Sequence, residues 1–262
     1  MYYTLLTGAS SGIGFELAHE FAKHKHNLIL VARSTQKLEE LKTAIENKYE
    51  VVAEVISLDL SLPDSADRLY KLVQEKNLKV NILVNNAGFG EHGLFTNSKL
   101  DRNEDMIVLN TLTLTKLTHL FMQDMLKNKD GRILNVASTA SFQPGPLMTV
   151  YYATKAFVLS FSEGLYEELR GTGVTVTALC PGPTTSGFQV EAGIEDIKLL
   201  KLIKIPTSQD VAEYGYKALM NGTAVAVHGA MNSLLAMASG FLPRSLSRKI
   251  VMKLQQKRLP QT

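Results

Sequence analysis

The chain has a single cysteine, Cys180, among 262 residues, which excludes an intrachain disulfide and suits a reducing compartment. No apolar run reaches the roughly 18 residues needed to span a bilayer, because Ser239, Gly240, Pro243 and Arg244 break the longest candidate, near the C-terminus. No basic, apolar leader is seen, since MYYTLLTGAS enters strand-forming residues at once. A cytoplasmic protein is expected. Clustered metal ligands are also lacking: His19, His24, His26, His92, His119 and His228 are scattered and no Asp/His constellation joins them. Each is expected on the surface or in packing, and no metal site is predicted. Acids are missing from Tyr214 onward, where Lys217, Arg244, Arg248, Lys249, Lys253, Lys257 and Arg258 stand without an Asp or Glu. The net charge of +3 therefore hides an asymmetry, with 21 of the 28 bases facing all 25 acids in the preceding body.

What is present is ordinary for a globular protein: 45% hydrophobic and 20% charged residues, enough to bury a full core in one α/β domain or two. Seven apolar runs, YYTLLT, NLILVA, VVAEVIS, VNILVNN, RILNVAS, VTVTALC and AVAVH, are apolar on both faces, as buried parallel strands are. Between them Ile13, Leu17 and Phe21, and then Leu38, Leu41 and Ile45, recur about one helical turn apart. The pattern predicts an α/β fold, one doubly wound parallel seven-stranded sheet with helices on both faces. No composition break marks a second domain. Residues 1–230 read as one dinucleotide-binding domain and 231–262 as a basic amphipathic extension.

Ligands of such sheets lie beyond the carboxyl ends of the strands. After the first run comes TGASSGIG, where Gly8, Gly12 and Gly14 permit a tight turn and close backbone approach to a diphosphate. Ser10, Ser11 and Ile13 lead into a helix whose free N–H groups and positive dipole end would face that anion. The spacing is Gly-x3-Gly-x-Gly rather than G-x-G-x-x-G, and a purely structural turn would also use it. The second run ends VARS, with Ala32, Arg33 and Ser34 where an NAD site would place an acid for the ribose 2′-hydroxyl. That favours NADP(H) over NAD(H), the alternative being a solvated arginine at a helix start. Asp59, followed by Leu60, either accepts a hydrogen bond from an adenine amino group or belongs to the cap of the next helix, since Ser61 and Pro63 follow. In NNAG, Asn86, Ala87 and Gly88 let the chain pass close to a cofactor ribose. Ser138 ends the fifth run, a position that by itself reads as a turn or cap.

The stretch YYATK, residues 151–155, sets two tyrosines within a turn of a lysine. Residues four apart on a helix are separated by about 40° and residues three apart by about 60° the other way, so either Tyr151 or Tyr152 can share a face with Lys155. Taken together, TGASSGIG, NNAG, Asn110, Ser138, Tyr151-x3-Lys155 and the PGP of 181–183 resemble the short-chain dehydrogenase/reductase family in order and spacing, over most of residues 1–230. The resemblance implies a Rossmann fold and selects Tyr151 as proton donor, leaving Tyr152 as packing or pocket wall. It implies that Lys155 lowers the tyrosine's pKa from about 10 and holds the nicotinamide ribose. Ser138 would polarise the substrate carbonyl. Asn110 would anchor a water of a proton relay; read alone it is a buried polar residue satisfied in its helix. Pro181, Gly182 and Thr184 would lie by the nicotinamide, and Ser186 stands where the family usually has a threonine contacting the carboxamide, with Thr184 and Thr185 beside it. LVARS plus a basic extension is most similar to the bacterial NADP-dependent subgroup often named for a D-alanine transfer operon.

The expected activity is hydride transfer from NADPH to an apolar ketone or aldehyde, reversible as alcohol oxidation. The alternatives are a 3-oxoacyl-thioester reductase of lipid synthesis and a catalytically silent NADP(H)-binding sensor or scaffold, which intact Ser138, Tyr151 and Lys155 argue against. Candidate substrate-pocket residues are Phe89, His92, Leu94, Phe95, Ser141, Phe142, Gln143, Leu147, Met148 and the segment 184–205. In that segment Phe188, Val190, Ile194, Ile197, Leu200 and Ile203 fall at helical intervals, as in a mobile lid or a fixed helix packed on the core. The tail suits weak contact with an anionic membrane surface, or docking on the same chain or on a subunit partner. The resemblance implies a homodimer or homotetramer built on the long helices that hold Asn110 and Tyr151. Nothing reads as nucleic-acid recognition.

Overall fold

Leu5 and Leu6 are neighbours in β1 (Tyr2–Thr7) yet belong to different cores, because successive side chains of a strand point to opposite faces. The structure, a computed structural model, describes residues 1–185, 187–194, 196–197 and 205–256. Its sheet adds β2 (Asn27–Ala32), β3 (Ala53–Ser57), β4 (Lys79–Asn85), β5 (Gly131–Val136), β6 (Val174–Cys180) and β7 (Val225–Val227). All pairings are parallel, in the order β3-β2-β1-β4-β5-β6-β7. The seven runs read from the sequence are these strands.

One face is covered by α1 (Gly12–Lys23), α2 (Thr35–Tyr49) and α8 (Ser208–Met220), through Leu17, Phe21, Leu38, Leu41, Ile45, Val211 and Leu219. The other is covered by α3 (Ser65–Glu75) and α5 (Leu114–Asn128), through Leu69, Val73, Leu117, Phe121 and Met125. Val158 and Leu159 of α6 (Thr149–Glu168) pack on Ala178 and Cys180 of β6. Phe21 and Phe121, one on each face, are fully buried; truncating either to Ala would cost about 3–5 kcal/mol.

β1 is flanked by β2 on one side and β4 on the other, so the crossovers leave it in opposite directions and open a crevice at its carboxyl end. Two stretches depart from the sequence reading. α4 (Leu100–Ile107) does not run smoothly into α5, since Val108–Thr113 forms a π-helical turn between them. Within the segment 184–205 expected to show helical intervals, α7 (Phe188–Ala192) ends where Gly193 takes a left-handed φ of 67°. Ile194 and Ile197 are buried beyond that break, while Leu200 and Ile203 lie outside the described residues. The extension folds as α9 (Ala230–Ser239) and α10 (Arg244–Gln255).

Candidate active site

At the mouth of the crevice the glycines do what their spacing requires. Gly8 and Gly12 have left-handed φ values of 68° and 56°. A Cβ on Gly14 would collide with the carbonyl oxygen of Gly8, and one on Gly8 would stand 2.8 Å from the Asn86 side-chain nitrogen. Thr7, which the sequence reading passed over, fastens this turn to NNAG: its hydroxyl oxygen accepts from the backbone N–H of Asn86 at 3.0 Å and of Ala87 at 3.1 Å. Asn86 answers by donating Nδ2 to the carbonyls of Thr7 and Gly8, at 3.0 and 3.2 Å. No side chain caps α1 at Ser11 and no acid lies in its first turn, so the helix start keeps unpaired donors and its positive end for an anion.

Ser34 caps α2, its hydroxyl accepting from the Lys37 backbone at 3.4 Å, and Arg33 beside it is exposed. Lys37 also lines the cavity; its place four residues after Arg33 in a helical segment was the available signal. Asp59 is not a helix cap, because that position before α3 belongs to Asp64. Its carboxylate instead accepts from the N–H and hydroxyl of Ser61, at 2.9 and 2.8 Å. Burial raises its pKa, but the two Ser61 hydrogen bonds and the charge of Arg33 outweigh burial and leave it lowered.

Gly8, Ser10 to Gly14, Arg33, Ser34, Asp59, Leu60 and Asn86 to Gly88 line one cavity of about 620 Å³ with Ser138, Tyr151, Lys155, Pro181, Gly182 and Thr184. Ser186 lies outside the described residues. The glycine cradle, the uncapped helix start and the two cations at the far edge fit an extended dinucleotide whose reactive end reaches the tyrosine.

At that inner end the Ser138 hydroxyl, which donates to the Pro181 carbonyl at 3.5 Å, is near enough to the Tyr151 phenol to favour its ionised form. Ser138, the last residue before a 3-10 turn, accepts from the N–H of Ala140 at 3.1 Å, which fixes its rotamer. Lys155, one turn after Tyr151 in α6, donates to the carbonyl of Val136 at 2.7 Å and sits 5.8 Å from the Tyr151 ring centre. Burial dominates both pKa values: it pushes the Tyr151 phenol well above its ordinary value, against the Ser138 hydroxyl, and brings Lys155 down to about 8. In the protein alone burial outweighs any lowering of the tyrosine by the lysine, since desolvation disfavours both charged forms.

Asn110 is buried and does not line the cavity. Turned inward by the π-helical turn, it receives the N–H of Phe89 on Oδ1 at 3.2 Å and donates Nδ2 to the Phe89 carbonyl and the Thr154 hydroxyl, each at 3.0 Å. It ties the segment after β4 to α6, one residue from Lys155. Gly88 fits there for want of a Cβ, which would come within 2.9 Å of Asn110 Oδ1.

Tyr152 belongs to the wall. It is buried, its ring lies where a Cβ on Gly145 would be, and its hydroxyl accepts from Gln255 Nε2 at 2.6 Å. Phe89, Gln143, Met148, Phe188, Ile194 and Ile197 join it in lining the cavity. His92, Leu94, Phe95, Ser141, Phe142 and Leu147 do not, contrary to expectation. Leu94 and Phe95 are exposed, and the Ser141 hydroxyl is used on the Lys155 carbonyl at 2.7 Å. Arg102 and Gln255 are among the lining residues that the sequence reading did not name. Arg102 stacks 3.9 Å over Phe89 and pairs with Glu191 of α7. Gln255 comes from α10, which docks on its own chain: Val251 packs with Met148, Tyr152 and Ile194, and the His92 ring bonds the Gln255 carbonyl at 2.8 Å. Docking on the same chain, one of the options for the tail, is therefore what α10 does.

Among the described residues no His/Cys/Asp/Glu group could hold a metal ion, and no helix is long and apolar enough to cross a membrane.

A parallel sheet whose switch-point crevice joins a glycine turn to a Ser-Tyr-Lys group is the framework of a nicotinamide-dependent oxidoreductase. The chain belongs to the short-chain dehydrogenase/reductase family, as a family model described as short chain dehydrogenase, matching residues 3–196, shows. It is 31% identical over 257 residues to the very-long-chain 3-oxoacyl-CoA reductase of Rattus norvegicus, covering 95% of this chain and 78% of the relative. A short-chain dehydrogenase from Sphingobium yanoikuyae in complex with NADPH superposes with a TM-score of 0.81 at 31% identity, over 92% of this chain and 94% of that one. The bulky-bulky ketone specific alcohol dehydrogenase from Comamonas testosteroni gives 0.77 at 29% identity, over 92% and 93%. The fold and the membership make this chain an oxidoreductase of a family that binds NAD(P).

Proposed function

We propose that the chain reduces the carbonyl of an apolar ketone or aldehyde with NADPH. The observation that carries this is that Ser138 and Tyr151 line one cavity together, set between the glycine cradle and a wall of Phe89, Met148, Tyr152, Phe188 and Ile194. NADPH, when bound, supplies the hydride that reduces the carbonyl carbon. The Ser138 hydroxyl hydrogen-bonds the substrate oxygen, and Tyr151, held neutral by burial, gives that oxygen its proton as negative charge builds on it. Lys155 then stabilises the phenolate until solvent returns the proton, and Asn110 keeps the Phe89 segment and α6 in register around it. Arg33 and Lys37 supply the charge that reads a 2′-phosphate, with no acid at the end of β2 to oppose it. The nearby Asp59 is occupied by Ser61.

A second reading, reduction of a 3-oxoacyl thioester, is supported by the rat relative's name. It is also supported by two amide atoms of lining residues, Gln189 Nε2 and Gln255 Oε1, which have no hydrogen-bond partner among the described residues and could meet a second carbonyl. Association as a dimer or tetramer is supported by exposed Ile107, Leu112 and Phe157 along the helices beside the site. Buried, unpaired Cys180 is consistent with a cytoplasmic setting.

Following NADPH oxidation against bulky ketones, aldehydes and 3-oxoacyl thioesters separates these readings. Tyr151→Phe is expected to lower kcat by at least about a thousandfold with NADPH affinity kept, and Tyr152→Phe to stay active. Tight NADPH binding with no turnover on any compound would instead make the chain a sensor.

A further inference from the structure

α9 presents an unusual combination: ten residues, AMNSLLAMAS, none charged and none buried. Met231, Leu234, Leu235 and Met237 are each more than half exposed, and the following Phe241 is 86% exposed. Leu242, Leu246 and Ile250 continue the exposed apolar series into α10. A helix that is apolar and uncovered does not gain its stability from its own core and is completed by something outside the fold.

The charges around it indicate what that is. Arg244, Arg248, Lys249 and Lys253 stand exposed on α10, and no ion pair among the described residues involves any of them. From Tyr214 to the end the sequence contains no acid. If this face met itself in a two-fold dimer, bases would approach bases with no acid of the same face to answer them. An extended surface of negative charge with an apolar interior beneath it satisfies both features at once.

We infer that α9 and the outer side of α10 form a docking face for an anionic lipid bilayer. α9 and Phe241 would enter the interfacial layer, with the α10 bases among the headgroups. The opposite side of α10 carries Val251 and Gln255 into the substrate wall. The same helix therefore faces the bilayer and the pocket, so an apolar carbonyl dissolved in the membrane would have a short route to Tyr151. This last step rests on the proposed reductase activity; the docking does not.

The full-length chain is sedimented with phosphatidylcholine vesicles and with vesicles of phosphatidylcholine and phosphatidylglycerol, at low and high salt. Binding is expected only to the phosphatidylglycerol vesicles, falling on the order of tenfold or more in high salt. Leu234→Asp combined with Phe241→Asp should abolish it while leaving NADPH-dependent reduction of a water-soluble ketone unchanged. Arg248→Gln with Lys249→Gln and Lys253→Gln, which spares the apolar face, should weaken it by a similar factor. Absence of binding to either vesicle overturns the inference, and so does binding indifferent to phosphatidylglycerol. A wild-type dimer that the Leu234/Phe241 double variant turns into monomers, without vesicle binding, would assign the face to a second copy of the chain.

Discussion

Lys155 carries the clearest pH signature. Its ammonium is buried, bonded to one carbonyl, and brought down to about 8 by desolvation. The proposed reduction would need the charged form, so kcat/KM for a ketone should hold near neutrality and fall as pH rises through about 8. A pH-rate profile of the free enzyme checks this. The same depression has a stability consequence of defined sign. Below about 8 both folded and unfolded chains hold the proton, and the folded state bears the cost of burying it. Between there and the ordinary lysine value only the unfolded chain holds it, so folding strengthens with rising pH. Some residues were plain from the sequence and others were not, for a physical reason. Tyr151, Lys155 and Ser138 are singled out by the family resemblance of their order and spacing, since helical spacing alone leaves Tyr151 and Tyr152 open and Ser138 alone reads as a turn. Thr7 and Arg102 act through contacts that only the packed structure brings about, as when Thr7 bonds a loop 79 and 80 residues away.

At the level of elements, the sheet was legible because strands buried on both faces leave continuous apolar runs, and all seven could be read. The π-helical turn was not, because MIVLNTLT keeps a helical composition whether its bonds close over four residues or five. The break at Gly193 was masked by the apolar intervals on either side. α10 could be read as amphipathic, but which side it buried depended on Val251 and Gln255 finding Tyr152 and His92, far away in sequence. Val251→Asp would put a charge into that contact, and detaching α10 should cost less than keeping it. Steady-state kinetics should then show the ketone kcat/KM lowered by roughly tenfold to a hundredfold, with NADPH affinity within about twofold of wild type. A parallel loss of NADPH affinity would mean that α10 supports the whole crevice rather than the substrate wall.

Across the whole molecule, one sheet is shared by two apolar faces, and the dinucleotide crevice spans β1 and β4 at its centre. A ligand held there stabilises every element that meets the sheet. Thermal unfolding should therefore be a single transition that NADPH moves upward, by about 2.7 kcal/mol when present at 100 times its Kd. NADH at the same concentration should move it less, and Arg33→Ala should remove most of the difference. Equal shifts by the two cofactors in the unaltered protein would overturn the reading of Arg33 and Lys37.

Cys180 ends β6 directly before Pro181, fully buried, with its thiol pushed up to about 12. The chain therefore offers no thiolate to peroxide, to disulfide exchange or to an electrophilic drug. Conditions that silence enzymes working through a reactive cysteine would leave this catalytic centre untouched, and a cysteine introduced on α9 would be the one accessible thiol for a reporter dye.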